Sequence, residues 1–286
     1  MYENLKTRNI DLTVNSNIKD KQKIRNKLQQ CLKICYINNA FSTFPYLIHK
    51  LTSKRAIDKF GCGNCIGLSM SIIECMKKNW GITGFLIPAT VPNMYKHPQY
   101  LDIAHVAVAV PVTENKIYIV DPAFYFNAPM LMQRNKSTNP KTKSKNIYSN
   151  TCDIVDSETY HLARDIRLND YQFLPKNTLY NKCSYQKEPS DKWYYFMRQV
   201  INPDESIGKF YLAIKNLPFI TTTKPDSVDG SPKMHIMIKQ IDGSGNYDIT
   251  VDNKSFFTGK LNDLTTDQIK LLKKELGHFN NGSISL

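Results

Sequence analysis

Two apolar runs constrain the middle of this chain more than anything else in it. Ile103-Ala-His-Val-Ala-Val-Ala-Val110 and Lys116-Ile-Tyr-Ile-Val-Asp-Pro-Ala-Phe124 are rich in β-branched residues. The five residues between them, Pro111-Val-Thr-Glu-Asn115, have a length suited to a hairpin loop. Pairing Val110 with Lys116 and counting back sets Val108 opposite Tyr118 and His105 opposite Asp121. Directly opposed antiparallel residues have Cβ atoms about 4.5–5.5 Å apart, close enough for a carboxylate to accept a ring N–H. Alternation puts His105, Ala107 and Ala109 on one face together with Ile117, Ile119 and Asp121. The alanines leave room there, and the helix carrying Cys65 is the expected neighbour. A slip of one residue would separate the pair.

Cys65 lies in Phe60-Gly-Cys-Gly-Asn-Cys-Ile-Gly-Leu-Ser69, a glycine-loosened turn running into a helical pattern over Ile66 to Asn79 that ends near Gly81. A thiol at a helix start, an imidazole and a carboxylate are the parts of an activated cysteine nucleophile. A free thiol ionises near pH 8.5, and a helix N-terminus or an imidazolium lowers that value. In this arrangement His105 takes the thiol proton and later returns it. Asp121 orients the ring and favours its protonated form. Cys65, His105 and Asp121 are therefore the expected catalytic residues, working through a thioester. The ordinary fates of such residues are a small buried thiol, a satisfied core histidine and a turn-forming Asp before Pro. Strand placement and register together set these three apart.

Cys62-Gly-Asn-Cys65 is also a C-x-x-C pair. A thioredoxin-like site needs a buried strand leading into its first cysteine, whereas Ser53-Lys-Arg-Ala-Ile-Asp-Lys-Phe60 is charged and non-alternating. Zinc would need a second ligand pair, and Cys75, Cys152 and Cys183 stand apart, so no metal is expected.

Around this centre, apolar positions Ile24, Leu28, Cys31, Leu32 and Cys35 predict a helix from Lys21 to His49. Strand-like runs cover Gly84 to Val91 and, more weakly, positions toward Tyr195. Pro203-Asp-Glu-Ser206 is a boundary candidate. Beyond it come Phe210 to Ile214, His235 to Ile241, the turn Asp242-Gly-Ser-Gly-Asn246, and Tyr247 to Val251. A last helix spans Thr265 to Gly277 with Ile269, Leu272 and Leu276 on one face. Helices, then strands, then strands with a terminal helix make an α+β architecture.

The net charge of +13 raises the question of a nucleic-acid partner. The basic residues are scattered except in Arg134 to Asn146, which reads as an exposed, mobile loop within 134–150. No helix-turn-helix, RNA-binding sheet motif or zinc finger is present, so no nucleic acid is expected. The start of the chain has no apolar signal-peptide core, and no run approaches the roughly 18 residues of a membrane span. Seven irregularly spaced cysteines argue against a disulfide framework. The expectation is a cytoplasmic monomer with no membrane contact.

The order and spacing of Cys65, His105 and Asp121 resemble those of the arylamine N-acetyltransferases, a branch of the transglutaminase-like cysteine enzymes. Ala104-His-Val-Ala-Val-Ala-Val110 is similar to the family's histidine strand. Val120-Asp-Pro-Ala-Phe124 resembles its aspartate-x-glycine-phenylalanine strand end, with Ala123 in the glycine's place. Tyr211 to Thr222, Met234 to Val251 and Leu264 to Gly277 look like its third domain. The resemblance implies an N-terminal helical bundle (1–83) carrying Cys65, a central β-barrel (84–202) carrying His105 and Asp121, and a C-terminal α/β lid (203–286). It implies transfer of acetyl from acetyl-CoA to an arylamine or similar small-molecule amine by ping-pong kinetics, with Phe124 lining the acceptor pocket. The cysteine motif departs from the family's: the arginine and paired glycines before the cysteine are reduced to Gly63, and Ile66 and Gly67 follow it. A transglutaminase-like peptidase or amidase, and a non-catalytic binding protein on the same fold, remain open readings.

Overall fold

The computed structural model describes residues 7–11, 13–20, 23–89, 105–113, 116–123, 129–133, 153–154, 199–201, 218–228, 232–241 and 243–280. Phe124, the basic stretch 134–150, the boundary at Pro203 and the run Phe210 to Ile214 lie outside them.

Helix α1 (Ile24–Asn38) buries Ile24, Leu28, Cys31, Leu32, Cys35 and Tyr36 along one stripe. It is shorter than the helical reading of Lys21 to His49. Asn39 turns extended and its side-chain amide donates to the Cys35 carbonyl (3.2 Å) and to Ser71 Oγ (3.0 Å). The next residues become strand β2 (Ala40–Ser42) because a distant strand pairs with them. A short helix α2 (Phe44–Leu47) follows, then α3 (Ser53–Phe60), capped by the Thr52 hydroxyl and stopped by Gly61 in the left-handed region. Strand β3 (Cys62–Gly63) leads into α4 (Cys65–Trp80), which ends at Gly81 with φ 65°.

Five strands follow: β4 (Phe85–Ala89), β5 (His105–Thr113), β6 (Lys116–Val120), β7 (Met130–Gln133) and β8 (Asp153–Ile154). They form one antiparallel sheet in chain order. Among the described residues no closed barrel is found: the sheet has β4 and β8 at its two edges. Strand β9 (Gln199–Ile201) pairs with β1 (Thr7–Asn9) in a separate ribbon.

A second, six-stranded sheet runs in the order β13-β12-β11-β10-β2-β3. Its strands β10 (Phe219–Pro225), β11 (Pro232–Gln240), β12 (Asn246–Val251) and β13 (Lys254–Lys260) form a meander. Strand β2 joins antiparallel to β10, and β3 joins parallel to β2. Residues 40–63 and 219–260 thus share one sheet. β13 was not legible as a strand, since half its side chains are exposed. The turn before it was the available signal: Asp252 and Asn253 both have positive φ, the mark of a two-residue hairpin connection.

Helix α5 (Thr266–Leu276) opens with a full capping box between Thr265 and Gln268 and buries Leu272 and Leu276. The described residues include two apolar cores. One gathers α1 and α4 against Val106, Val108, Val110, Val112 and Val120 of the first sheet. The other gathers Ile220, Ile236, Ile238 and Ile249 of the second sheet with Leu272, Leu276 and Phe279.

Candidate active site

The hairpin of β5 and β6 forms, in a register two residues from the one expected. Observed pairs are Val108↔Val120, Ala109↔Ile119, Val110↔Tyr118 and Pro111↔Ile117, then Thr113↔Lys116. The strand runs on through Thr113 instead of stopping at Val110, which by itself would move the pairing by three residues. A bulge between Pro111 and Thr113 takes one back. The net displacement is even, so every side chain keeps its face. Continued along the hairpin, this register puts Ala107 opposite Asp121, with His105 on the diagonal. Diagonal neighbours of an antiparallel pair stay within reach of long and aromatic side chains. His105 Nε2 and Asp121 Oδ2 are 2.7 Å apart.

The position of the helix is a second correction. α4 packs against the valine face of β5, not the alanine face. Cys65 and His105 meet at the margins of their elements: Cys65 is the first residue of α4 and His105 the first of β5. The Cys65 side chain is close enough to the His105 ring to help raise its pKa, alongside Asp121. Asp121 also accepts from the Ala123 backbone N–H through Oδ1 (3.2 Å). All three side chains are buried, at 3%, 2% and 0% exposure for Cys65, His105 and Asp121.

Burial by itself pulls the His105 pKa down. The Asp121 charge and hydrogen bond, and then Cys65, outweigh it and hold the ring up at about 10. At that value the imidazole holds its proton at neutral pH. A thiol, an imidazole and a carboxylate thus stand together in the described fold. Among the described residues no cluster of His, Cys, Asp and Glu could hold a metal ion. No helix among them is long and apolar enough to cross a membrane.

The residues that hold Cys65 in place were not singled out by the sequence. Asn64 is the N-cap of α4, and its Oδ1 accepts from the backbone N–H of Ile66 and of Gly67, both at 3.1 Å. The same oxygen accepts from Ser53 Oγ at 3.0 Å. The Tyr46 hydroxyl accepts from the Asn64 N–H (3.0 Å) and donates to Ser53 Oγ (3.3 Å). This closed set of bonds ties α2, α3 and the first turn of α4 together beside the thiol. An Asn just before a helical pattern was a readable cap signal; Tyr46 and Ser53 had none. Gly67 lets the helices approach, because a Cβ there would lie 2.9 Å from Ile57 Cγ1 and 3.3 Å from the Ser53 carbonyl. Cys62, the other half of the C-x-x-C pair, is buried in β3 and donates to the Phe60 carbonyl at 3.3 Å.

No family model matches the chain, and no curated protein matches it. Solved structures do. Among the solved structures it is similar to are arylamine N-acetyltransferases. One from Bacillus cereus, described with a Cys-His-Glu catalytic triad, is 15% identical at a TM-score of 0.43, with 96% of this chain and 97% of that chain covered. Arylamine N-acetyltransferase C from Bacillus anthracis is 12% identical at 0.42, covering 93% of this chain and 96% of the other. The Mycobacterium abscessus enzyme is 11% identical at 0.42, with 93% of each chain covered. Likeness at this level carries no conclusion about chemistry, which rests on the site itself.

Proposed function

We propose that this chain is a cysteine acyltransferase of the arylamine N-acetyltransferase type. The observation that carries the reading is the buried His105 ring, hydrogen-bonded to Asp121 and interacting with the Cys65 side chain. The resemblance of the histidine and aspartate strands to that family supplies the substrates. Cys65, as thiolate, attacks the carbonyl of acetyl-CoA, and the C–S bond to coenzyme A breaks as the new thioester forms. His105 holds the proton taken from the thiol and gives it to the departing coenzyme A thiolate. An arylamine or similar amine then attacks the thioester, His105 takes its proton, and Cys65 is regenerated. Asp121 keeps the ring oriented throughout and favours its protonated form whenever the proton returns to it. Phe124 lines the acceptor pocket in this reading.

Intact-protein mass after brief incubation with acetyl-CoA tests it. Wild type should gain one acetyl group and Cys65→Ala none. An absence of any gain in wild type sinks coenzyme A as donor. The departures of the cysteine motif favour one second reading, a transglutaminase-like peptidase or amidase. Cleavage or deamidation of a peptide library without any coenzyme would select it.

A further inference from the structure

Ten residues beyond Cys65 on the same helix, a second pair of thiols takes no part in the chemistry above. Cys75 of α4 and Cys31 of α1 face one another with their sulfurs 2.9 Å apart. A disulfide bond is about 2.05 Å long, so less than about 1 Å of closure separates this pair from a covalent bond. Both thiols are free. Cys31 is fully buried, and burial first, then its hydrogen bond to Cys75, pushes its pKa well above the ordinary thiol range. Cys75 is only partly buried and accepts from the Asn79 side-chain amide at 3.4 Å. Cys35, the third thiol of the neighbourhood, is turned to other partners: it lies 3.9 Å from the Leu68 carbonyl and 3.8 Å from the Asn39 amide.

We propose that Cys31 and Cys75 form an oxidisable dithiol that closes to a disulfide between α1 and α4 on exchange with a small-molecule disulfide such as oxidised glutathione. The partly exposed Cys75 reacts first. Its sulfur attacks one sulfur of the small disulfide, the S–S bond of that molecule breaks, and one small thiol leaves. Cys31 then attacks the Cys75 sulfur of the mixed disulfide and expels the second small thiol. The protein loses two protons and two electrons, the small disulfide gains both, and no net proton is released. The resulting bond closes a loop spanning 44 positions and pins α1 to the helix whose first residue is Cys65. At a rise of about 1.5 Å per residue, Cys65 lies roughly 15 Å along the helix, outside the reacting pair.

The test is oxidation of the full chain by excess oxidised glutathione, followed by alkylation of remaining thiols, intact mass and peptide mapping. Alkylatable thiols should fall from the seven of the reduced chain by two, beyond any glutathione adduct on the activated Cys65, with one cross-linked peptide pair containing Cys31 and Cys75. Dithiothreitol should restore all seven. The half-exposed Cys75→Ser variant, checked for native fold by circular dichroism, should form no cross-link through Cys31. A glutathione adduct persisting on Cys75, a cross-link through Cys35 or Cys62 instead, or seven thiols remaining in the folded wild type would each overturn the proposal. The readout is the thiol pair itself, so it stands apart from whether Cys65 accepts acetyl.

Discussion

At the residue scale, the charge on His105 is the quantity most open to measurement. Its pKa is raised in the folded chain, from an ordinary 6.5 to about 10, against the pull of burial. A group raised on folding contributes stability that is complete below its unfolded pKa and lost as pH climbs through the folded value. Resistance to urea should therefore decline between about pH 6.5 and pH 10 by an amount assignable to this pair. Other groups titrate in that window too, so the comparison is with Asp121→Asn, in which the His105 share of the slope should vanish. The same variant should keep its fold and lose turnover by a factor on the order of 10⁴, by analogy with serine triads. Near-wild-type rates would remove Asp121 from the mechanism. Cys65, His105 and Asp121 were readable because each stands at a marked place: a helix start, a strand and a strand end. Asn64 carried a cap signal that could have been read, while Tyr46 and Ser53 reach the site only through folding.

At the scale of elements, the close approach of α3 to the first turn of α4 fixes where the thiol sits. Gly67→Ala puts a methyl group 2.9 Å from Ile57 Cγ1 and 3.3 Å from a backbone carbonyl, and a backbone atom cannot move aside cheaply. Overpacking of this kind costs about 1–3 kcal/mol. Urea denaturation should register that loss. The rate at which iodoacetamide alkylates Cys65 should change with it, since the first turn of α4 must shift. An unchanged stability and an unchanged alkylation rate together would mean that α3 is free to yield. The hairpin teaches a related point. Its loop length, read as five residues, was too long, because the strand absorbed three of them and a bulge returned one. Local sequence does not reveal a bulge, yet the parity of the register survived it, and parity is what keeps His105 and Asp121 on one face.

At the scale of the whole molecule, the second sheet joins the two ends of the chain, and one histidine fastens a helix to it. His235 on β11 is nearly buried, with Nδ1 3.0 Å from Asp252 and Nε2 2.8 Å from Glu275 of α5. Asp252 is held below the usual carboxylate range chiefly by its hydrogen bond from Lys224, with His235 adding to it. His235→Ala removes both links while its carboxylate partners remain partly solvated, which should cost about 1–3 kcal/mol. Hydrogen exchange would check the location of the loss: amides of α5 should exchange faster while those of α4 do not. Equal acceleration in both helices would show that the link is not local.

The sequence alone determined the α+β class, the helical starts at Cys65 and Thr265, the hairpin, and the face shared by His105 and Asp121. These follow from periodicity, capping and turn chemistry, which act between residues close in the chain. Tertiary structure alone decided the rest. It cut the first helix at Asn38 so that residues 40–42 could pair with β10, and it left the first sheet open among the described residues. It also set α4 against the valine face and brought Tyr46, Ser53 and Asn64 together behind the thiol. Each of these depends on contacts between residues far apart in the chain, whose partners no local pattern names.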